Sequence, residues 1–293
     1  MQYLTEEFIA KIDKFNLRAR LIVEGFITGL HKSPYHGFSI EFSDHRQYNP
    51  GDPIRNLDWK IYGKTNRYYI KRYEEETNLK SYIIVDHSSS MSYTSGNISK
   101  LEYSKVLASA LAYLMISQQD AVGLLTFTDS ITNFIPPRSM RSYLNIILKH
   151  LYNLKSEDKT NTVKVLHSLA ERVKKRGLVI LISDLIDDPE ELMRGLMHFR
   201  HQKHEVILFH IQDKQEIDFN FNKDTEFIDA ETQEKIAVSP WQIKQNYQKV
   251  YQKNIQFLKD KCYEARIEYN AISTDTPFED NLLRYLVKRS KLL

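Results

Sequence analysis

The stretch Ser81-Tyr-Ile-Ile-Val-Asp86-His-Ser88-Ser-Ser90-Met91 changes abruptly from apolar to polar. Its apolar part is short, bounded and rich in β-branched residues, which is typical of a buried strand. Its polar part closes that strand with one carboxylate and several hydroxyls, and a helical pattern follows from Lys100. Open α/β sheets bind their ligands at the carboxyl ends of the strands. One carboxylate with two hydroxyls suits Mg²⁺ or Mn²⁺ better than zinc, because these ions prefer oxygen ligands.

From Ser81 onward, strand-like and helix-like patterns alternate along the chain. This alternation predicts an α/β fold with a mostly parallel sheet and helices on both faces. A hairpin centred on Thr128-Asp129-Ser130 would turn the third strand antiparallel, and a second hairpin is predicted as an insertion near residues 217–238. The predicted strands are Ser81–Val85, Val122–Phe127, Ile131–Ile135, Leu178–Ser183, Glu205–Ile211 and Ile267–Ile272. The predicted helices are Lys100–Ser117, Arg141–Leu151, Thr162–Lys175, Pro189–Phe199, Trp241–Ala265 and Pro277–Ser290.

Residues 1–77 differ in character from the rest of the chain. A helical pattern runs from Phe8 to Gly25, and glycines and prolines then separate two strand-like pieces, Phe38–Phe42 and Arg67–Glu74. We therefore expect an N-terminal helix and a small β-rich element in residues 1–77. The α/β domain would occupy residues 78–293.

A second predicted strand ends in the same way as the first. Leu178-Val-Ile-Leu-Ile-Ser-Asp184 is an apolar run that closes on a carboxylate. If the strand order reverses between the first and fourth strands of the sheet, these two strand ends lie side by side at the switch point. Asp86 and Asp184 would then converge with Ser88 and Ser90. A polar residue after one strand is often only the N-cap of the next helix, but two such ends together favour a divalent metal site.

A third loop, Asp158-Lys-Thr160-Asn-Thr162, precedes a predicted helix and could supply another hydroxyl. Thr160 fits the start of that helix better, and Thr162 is the alternative. Together the three loops resemble the metal-ion-dependent adhesion site of von Willebrand factor type A domains, over residues 78–293. In that family serines, a threonine and aspartates hold Mg²⁺, and a carboxylate of a partner protein completes the coordination. The family usually has a Gly-Gly-Thr turn at the third loop.

This resemblance implies a von Willebrand factor A-like, doubly wound sheet with one antiparallel edge strand. It also implies a ligand set for Mg²⁺ or Mn²⁺, and a protein partner that presents an acidic residue to the ion. The implied ligands are Asp86, Ser88, Ser90, Thr160 and Asp184.

The segment before the α/β domain narrows the resemblance to one group. It contains Gly37-Phe-Ser-Ile-Glu41-Phe42, Arg46-Gln-Tyr48, Pro50-Gly51-Asp52, Arg55, Asp58-Trp59 and Lys71-Arg-Tyr-Glu74-Glu75. These residues resemble the pattern of the bacterial family called "domain of unknown function 58", in which a type A domain follows such a segment. The resemblance covers nearly the whole chain. It implies a non-catalytic adaptor for a MoxR-type AAA+ ATPase in the assembly or maturation of a protein complex.

The charged residues of that segment have a structural interpretation. A network of ion pairs and turns explains these residues better than a catalytic set, because such networks are common outside active sites. These residues are Glu41, Arg46, Asp52, Arg55 and Asp58. Trp59 is interpreted as an anchor that packs this element onto the main domain. If Trp59 is exposed instead, it is suited to be an interface hot spot.

Two other function classes fit parts of the pattern. A metal-dependent hydrolase, such as a phosphoesterase, could use Asp86, Asp184 and Asp187 to hold a metal ion and orient a water molecule. Against this alternative, the sequence offers no convincing general base near these residues. A structural module whose site has lost its metal is the third possibility.

Composition and missing motifs exclude several classes of protein. A net charge of +3 gives no indication of nucleic-acid binding. The single cysteine, Cys262, allows no internal disulfide, and we expect it to be buried and inert. The chain start lacks an apolar signal core, and no apolar run reaches the length of a membrane span, so we expect a cytoplasmic protein without membrane insertion. The phosphate-binding pattern Gly-x-x-x-x-Gly-Lys-Ser/Thr is absent, so this chain is not itself expected to be the ATPase.

Four histidines are not expected to be functional residues. His198, His201 and His204 are interpreted as solvated side chains near a helix C-terminus, because no carboxylate or cysteine completes a zinc pattern around them. His87 lies inside the first loop, but alternation along the chain points it away from Asp86 and Ser88.

Overall fold

The computed structural model describes residues 39–50, 52, 57–76, 80–117, 119–157, 162–173, 176–221, 225–228, 235–277, 280–282 and 284–285. Those up to residue 76 belong to one compact unit, and those from residue 80 onward belong to a second. The helix predicted between Phe8 and Gly25 lies outside the described residues. The predicted domain limits, 1–77 and 78–293, stay predictions.

The first unit contains two antiparallel strands and one short helix. Strands β1 (Ser39–Gln47) and β2 (Tyr69–Glu76) pair with each other, with a bulge between Phe42 and Asp44. Helix α1 (Trp59–Thr65) begins at Asp58, whose side chain accepts hydrogen bonds from the backbone of Lys60 and Ile61. This cap satisfies two amides that the first turn of a helix leaves without partners.

The charges of this unit form local pairs, as their structural interpretation requires. His45 lies 2.9 Å from the carboxylate that caps α1, and Arg46 donates a 2.8 Å hydrogen bond to Asp52. Arg55 lies outside the described residues. Trp59 is 60% exposed. Its packing onto the main domain and its alternative role as an interface hot spot both stay predictions.

The second unit is built on a six-stranded sheet of mixed direction. Its strands are β3 (Lys80–Asp86), β4 (Ala121–Phe127), β5 (Ile131–Arg138), β6 (Gly177–Ser183), β7 (Glu205–Gln212) and β10 (Glu268–Ser273). The order across the sheet is β10-β7-β6-β3-β4-β5. Every neighbouring pair is parallel except β4 and β5. The α/β class, the mostly parallel sheet and the antiparallel edge strand are therefore confirmed.

The central strands form because their side chains are apolar on both faces. In β4 and β6 every residue is buried, and in β3 only Lys80 is partly exposed. Near-continuous apolar runs are typical of parallel strands that helices cover on both sides. The covering helices are α2 (Lys100–Ser117), α3 (Arg141–Asn153), α4 (Thr162–Arg172), α5 (Pro189–His201), α6 (Lys214–Asp218) and α7 (Pro240–Glu264). The predicted helix Pro277–Ser290 is described only in part.

The predicted insertion is present as a hairpin of β8 (Thr225–Ile228) and β9 (Lys235–Val238). Aromatic rings attach it to α6 and α7, with Phe219 stacked on both Phe227 and Tyr247. The ring centroids of Phe219 and Tyr247 are 4.2 Å apart. Offset ring stacks of this kind add to the free energy of burial.

The edge strand β5 contains two successive prolines, Pro136 and Pro137. Pro137 packs so closely on β4 that a Cβ atom at Gly123 would lie 2.9 Å from its ring nitrogen. Only glycine fits at position 123 without movement of the edge strand.

No helix in the described parts of the chain has both the length and the apolar character required to cross a bilayer.

We predict that Gly177→Ala destabilises the second unit by about 1–3 kcal/mol, the usual cost of overpacking. A Cβ atom at Gly177 would lie 2.0 Å from the carbonyl oxygen of Lys80 on the neighbouring strand. The measurement is urea unfolding of wild type and variant. Gly96→Ala is the matched control, since no atom lies within 4 Å of its added Cβ. Equal midpoints for Gly177→Ala and wild type would contradict the packing described here.

Candidate metal centre

Asp86 and the serines that follow it form a compact corner at the carboxyl end of β3. The backbone amide of Ser88 donates a 2.9 Å hydrogen bond to Oδ1 of Asp86. A 3₁₀ turn, Ser89–Ser92, then reverses the chain around the buried Met91. In this turn the hydroxyl oxygens of Ser88 and Ser90 lie 3.0 Å apart. The local fold therefore gathers one carboxylate and two hydroxyls between Asp86 and Ser90.

The Asp86 carboxylate is buried, with only 1% of the residue exposed. Burial is the main cause that raises its pKa to about 7, and the nearby carboxylate of Asp184 raises it further. Hydrogen bonds from Ser88 and from the hydroxyl of Ser183, at 2.7 Å to Oδ2, act in the opposite direction. Among the described residues, no lysine, arginine or histidine forms an ion pair with Asp86. A buried carboxylate of this kind is a favourable place for a cation.

Asp184 reaches the same corner from the neighbouring strand. Because β3 and β6 are parallel neighbours in register from Lys80 to Val85, their carboxyl ends lie side by side. Directly after Asp184, Leu185 adopts a left-handed conformation with φ of 54°, which is unfavourable for a leucine. The Ser183 hydroxyl accepts a 3.1 Å hydrogen bond from the amide of Leu185. Ser183 thus braces this strained turn while it donates to Asp86.

Most of the third predicted loop, residues 158–161, lies outside the described residues. Thr160 lies outside the described residues. Thr162 is the first residue of α4, and its side chain lies outside the described part of the structure. The structure therefore brings together Asp86, Ser88, Ser90 and Asp184, and the choice between Thr160 and Thr162 stays a prediction.

Lys100 also lies in this region, although it was predicted from the sequence only as the start of a helix and not as a site residue. It is the first residue of α2, and it has no exposed surface. Its ammonium nitrogen lies 2.8 Å from Oδ2 of Asp184 and 2.6 Å from Oε1 of Glu216, and 5.8 Å from the centre of the Tyr93 ring. Burial lowers the pKa of Lys100, but the two carboxylates outweigh burial and raise the pKa above its usual value.

The second partner of Lys100 belongs to a short capped helix. Asp213 caps α6 by accepting a 2.8 Å hydrogen bond from the amide of Gln215, while Glu216 accepts one from the amide of Asp213. Ser95, in the loop before α2, donates two further hydrogen bonds to Asp213 through its amide and its hydroxyl. The serine-bearing loop is thereby tied to α6.

The sequence does contain one signal for the cluster of Lys100, Asp184 and Glu216, namely a lysine in the first turn of a helix. Helix N-termini carry partial positive charge and favour acidic residues. Lys100 departs from that preference, and such departures indicate a tertiary partner. For Glu216 the sequence contains only the capping-box spacing Asp213-x-x-Glu216, which predicts a helix start and not a contact with Lys100.

The histidines near the site are already engaged. His87 is buried and its two ring nitrogens lie 2.8 Å from the carbonyl oxygen of Lys155 and 2.9 Å from the hydroxyl of Thr132, so it points away from the serines as predicted. His210, on β7, contacts the hydroxyl of Tyr269 at 2.7 Å, and burial lowers its pKa to about 4.

The interpretation of His204 as a solvated side chain is wrong. His204 is fully buried, and its ring accepts a hydrogen bond from the amide of Gly177 and lies 3.0 Å from the carbonyl oxygen of Val173. A neutral imidazole can accept and donate at once, so it satisfies backbone groups at both sides of the start of β6. His198 and His201 are exposed.

A cavity of about 250 Å³ adjoins the acidic side of the site. Asp184 and Glu216 line it, and Tyr247 and Tyr251 of α7 also border it. The cluster around Lys100 is therefore next to a space that small solutes and ions can fill.

The residues present fit a hard divalent cation at the Asp86 corner. Two oxygens bound side by side to Mg²⁺ at about 2.1 Å in octahedral geometry lie about 3.0 Å apart, which is the separation of the Ser88 and Ser90 hydroxyls. Over the described ranges no three His, Cys, Asp or Glu side chains form a metal-binding group. The corner itself offers one carboxylate, Asp86, and two hydroxyls, Ser88 and Ser90.

Two mycobacterial proteins have sequences similar to this chain. The chain is 22% identical over 226 residues to "Uncharacterized protein Rv1480" of Mycobacterium tuberculosis and to "Uncharacterized protein Mb1516" of Mycobacterium bovis. Each alignment covers 76% of this chain and 71% of the relative.

Solved structures with a related arrangement include the conserved hypothetical protein BatB from Bacteroides thetaiotaomicron. It has a TM-score of 0.49 and 14% identity, over 74% of this chain and 100% of that chain. The SpRpn10 VWA domain has a TM-score of 0.42 and 12% identity, over 70% of this chain and 94% of that chain.

One protein family matches most of the chain. It is described as "Protein of unknown function DUF58", and the match covers residues 44–256. That range includes part of the first unit, the serine-bearing loop, Asp184 and most of α7. This protein therefore belongs to the DUF58 family.

Proposed function

We propose that this protein is a non-catalytic protein-interaction module of the cytoplasm that captures an acidic residue of a partner through a bound Mg²⁺ or Mn²⁺ ion. When bound, the ion would supply positive charge that attracts a carboxylate. Asp86, Ser88 and Ser90 would hold it, with Asp184 and the threonine of the third loop at its border. Two of these groups are neutral hydroxyls, so the protein would neutralise the ion only in part.

One observation carries this proposal. A buried carboxylate without an ion-pair partner in the described structure lies directly beside two hydroxyls at the separation that neighbouring Mg²⁺ ligands adopt. Leaving such a carboxylate charged and unpaired is costly. A divalent cation in this corner would offset that cost.

The partner proposal follows the family resemblance. A MoxR-type AAA+ ATPase would act on the complex that this protein helps to assemble or mature, and this chain would serve as its adaptor. The lack of a phosphate-binding Gly-rich pattern in the sequence is consistent with that division of labour.

A non-catalytic role is favoured over hydrolysis by the state of the nearby bases. His87 is turned away from Ser88, and its nitrogens already contact Lys155 and Thr132. His210 borders the same cavity as Asp184, but burial lowers its pKa to about 4, so it is a weak base. General base catalysis is most effective when the pKa of the base lies near the working pH, and His210 does not meet this requirement.

A second candidate is a structural module that binds no metal. Lys100 favours it, because its ammonium already contacts Asp184 at 2.8 Å. In that case the internal cation would take the place of the divalent ion. Metal titration separates the two candidates.

We predict that wild-type protein binds Mn²⁺ and Mg²⁺ and that Ser88→Ala and Ser90→Ala weaken binding on the order of tenfold or more, since each removes one ligand. Asp86→Asn should remove detectable binding. Isothermal titration calorimetry checks this, with Ser92→Ala as the control because its exposed hydroxyl bonds only to the carbonyl of Ser89. Binding that is equal in Ser88→Ala and Ser92→Ala would rule out the serines as ligands.

Partner capture should depend on the metal. We expect immobilised wild-type protein to retain the MoxR-type ATPase or its client complex from the native cytosol in Mg²⁺, and to lose it in EDTA. Asp86→Asn should fail in both conditions, whereas the exposed variant Asp129→Asn should behave as wild type. Retention by Asp86→Asn at the wild-type level, with and without EDTA, would disprove the metal bridge.

The hydrolase alternative predicts turnover that the interaction module does not. We expect wild-type protein with Mg²⁺ or Mn²⁺ to leave a panel of phosphate mono- and diesters uncleaved. The decisive control is Asp184→Ala purified in parallel. Cleavage by wild type that Asp184→Ala abolishes would replace our proposal with a metal-dependent phosphoesterase.

A further inference from the structure

Lys100 is a cation built into the candidate metal centre. Its ammonium is completely buried, and its two carboxylate partners, Asp184 and Glu216, lie within 2.8 Å. Burying an ammonium is expensive unless such partners and good geometry compensate it. Lys100 is therefore held firmly against one of the residues expected to border the metal.

The location of Lys100 on its helix supports a specific electrostatic role. The first turn of α2 offers an unfavourable potential to a cation, so the helix itself does not stabilise the charge there. The carboxylates of β6 and α6 must supply that stabilisation. The Tyr93 ring, 5.8 Å from the ammonium, adds a weaker cation–π contribution.

The charges of the cluster do not balance. Lys100 contacts two carboxylates, Asp184 at 2.8 Å and Glu216 at 2.6 Å, and provides only one positive charge. The charge of Asp184 also acts on Asp86. With Asp184 and Glu216 ionised, one negative charge remains beside the buried Asp86, and a bound cation would offset it.

We propose that Lys100 competes with the divalent ion for Asp184 and so sets a low metal affinity with high residual charge on the ion. This inference rests on the proposed function and assigns one residue the control of that site. While the ammonium of Lys100 is paired with the carboxylate of Asp184, the ion is held by Asp86 and by neutral hydroxyls. Less of its charge is then cancelled by the protein, and more is available to a partner carboxylate.

The test is Mn²⁺ titration of Lys100→Met, which keeps the length of the side chain and removes its charge. We expect Mn²⁺ to bind at least about tenfold more tightly than to wild type, because a like charge near the ion is gone. Lys105→Met is the matched control. Lys105 is also buried in α2, but it pairs with Glu102 at 2.6 Å.

A second variant guards against misfolding. Lys100→Met leaves the carboxylates of Asp184 and Glu216 without their partner, and Lys100→Met/Glu216→Gln removes one of these two charges. Thermal unfolding with and without Mn²⁺ provides an independent measurement, and Mn²⁺ should raise the Tm of the double variant more than that of wild type.

The outcomes separate this inference from the proposed function. Tighter binding in the Lys100 variants and not in Lys105→Met supports the inference, even if wild type binds no metal, in which case the metal-dependent function fails. Wild-type binding that is unchanged or weaker in the Lys100 variants overturns the inference and leaves the function standing. Absence of binding in all variants overturns both.

Discussion

The parallel pairing of β3 with β6 is the constraint on which the site depends. It sets the carboxyl ends of two buried strands side by side, and so it forces Asp86 and Asp184 into one poorly solvated space. Two carboxylates so placed repel each other, and each loses most of its hydration. The fold around them responds to that cost with hydroxyls for one carboxylate and a buried ammonium for the other. The serine loop, the first turn of α2 and the cap of α6 each contribute a part of this response.

The architecture could be predicted from the sequence because its signals are local. Apolar runs such as Leu178–Ser183 have the length and composition of buried parallel strands, and the structure places β6 at Gly177–Ser183. The convergence of Asp86 with Asp184 followed from the general rule for doubly wound sheets. The limits of the five predicted helices from Lys100 to Ala265 were correct to within a few residues, because capping residues and prolines such as Pro189 and Pro240 mark some of them. The short helices α1 and α6 were not predicted.

The parts that could not be predicted depend on contacts between distant segments. Lys100 lies 84 residues from Asp184 and 116 residues from Glu216 along the chain. No periodicity carries that information. His204 was misjudged for the same reason: its neighbours His198 and His201 are solvated, while its own ring fills a gap between a helix end and the first residue of β6. The strained turn at Leu185 has no sequence signature, because leucine rarely adopts that conformation.

The edge of the sheet formed by β5 limits how a partner protein can approach. Successive residues of a strand direct their amide groups to opposite sides, so the two adjacent prolines of β5 remove one donor facing β4 and one facing outward. A strand that paired with this edge would lack one backbone hydrogen bond, because proline has no amide hydrogen to donate. The prolines of β5 therefore disfavour recognition by strand addition along this edge. Side chains of the loops can contact other proteins more readily than the backbone of β5 can.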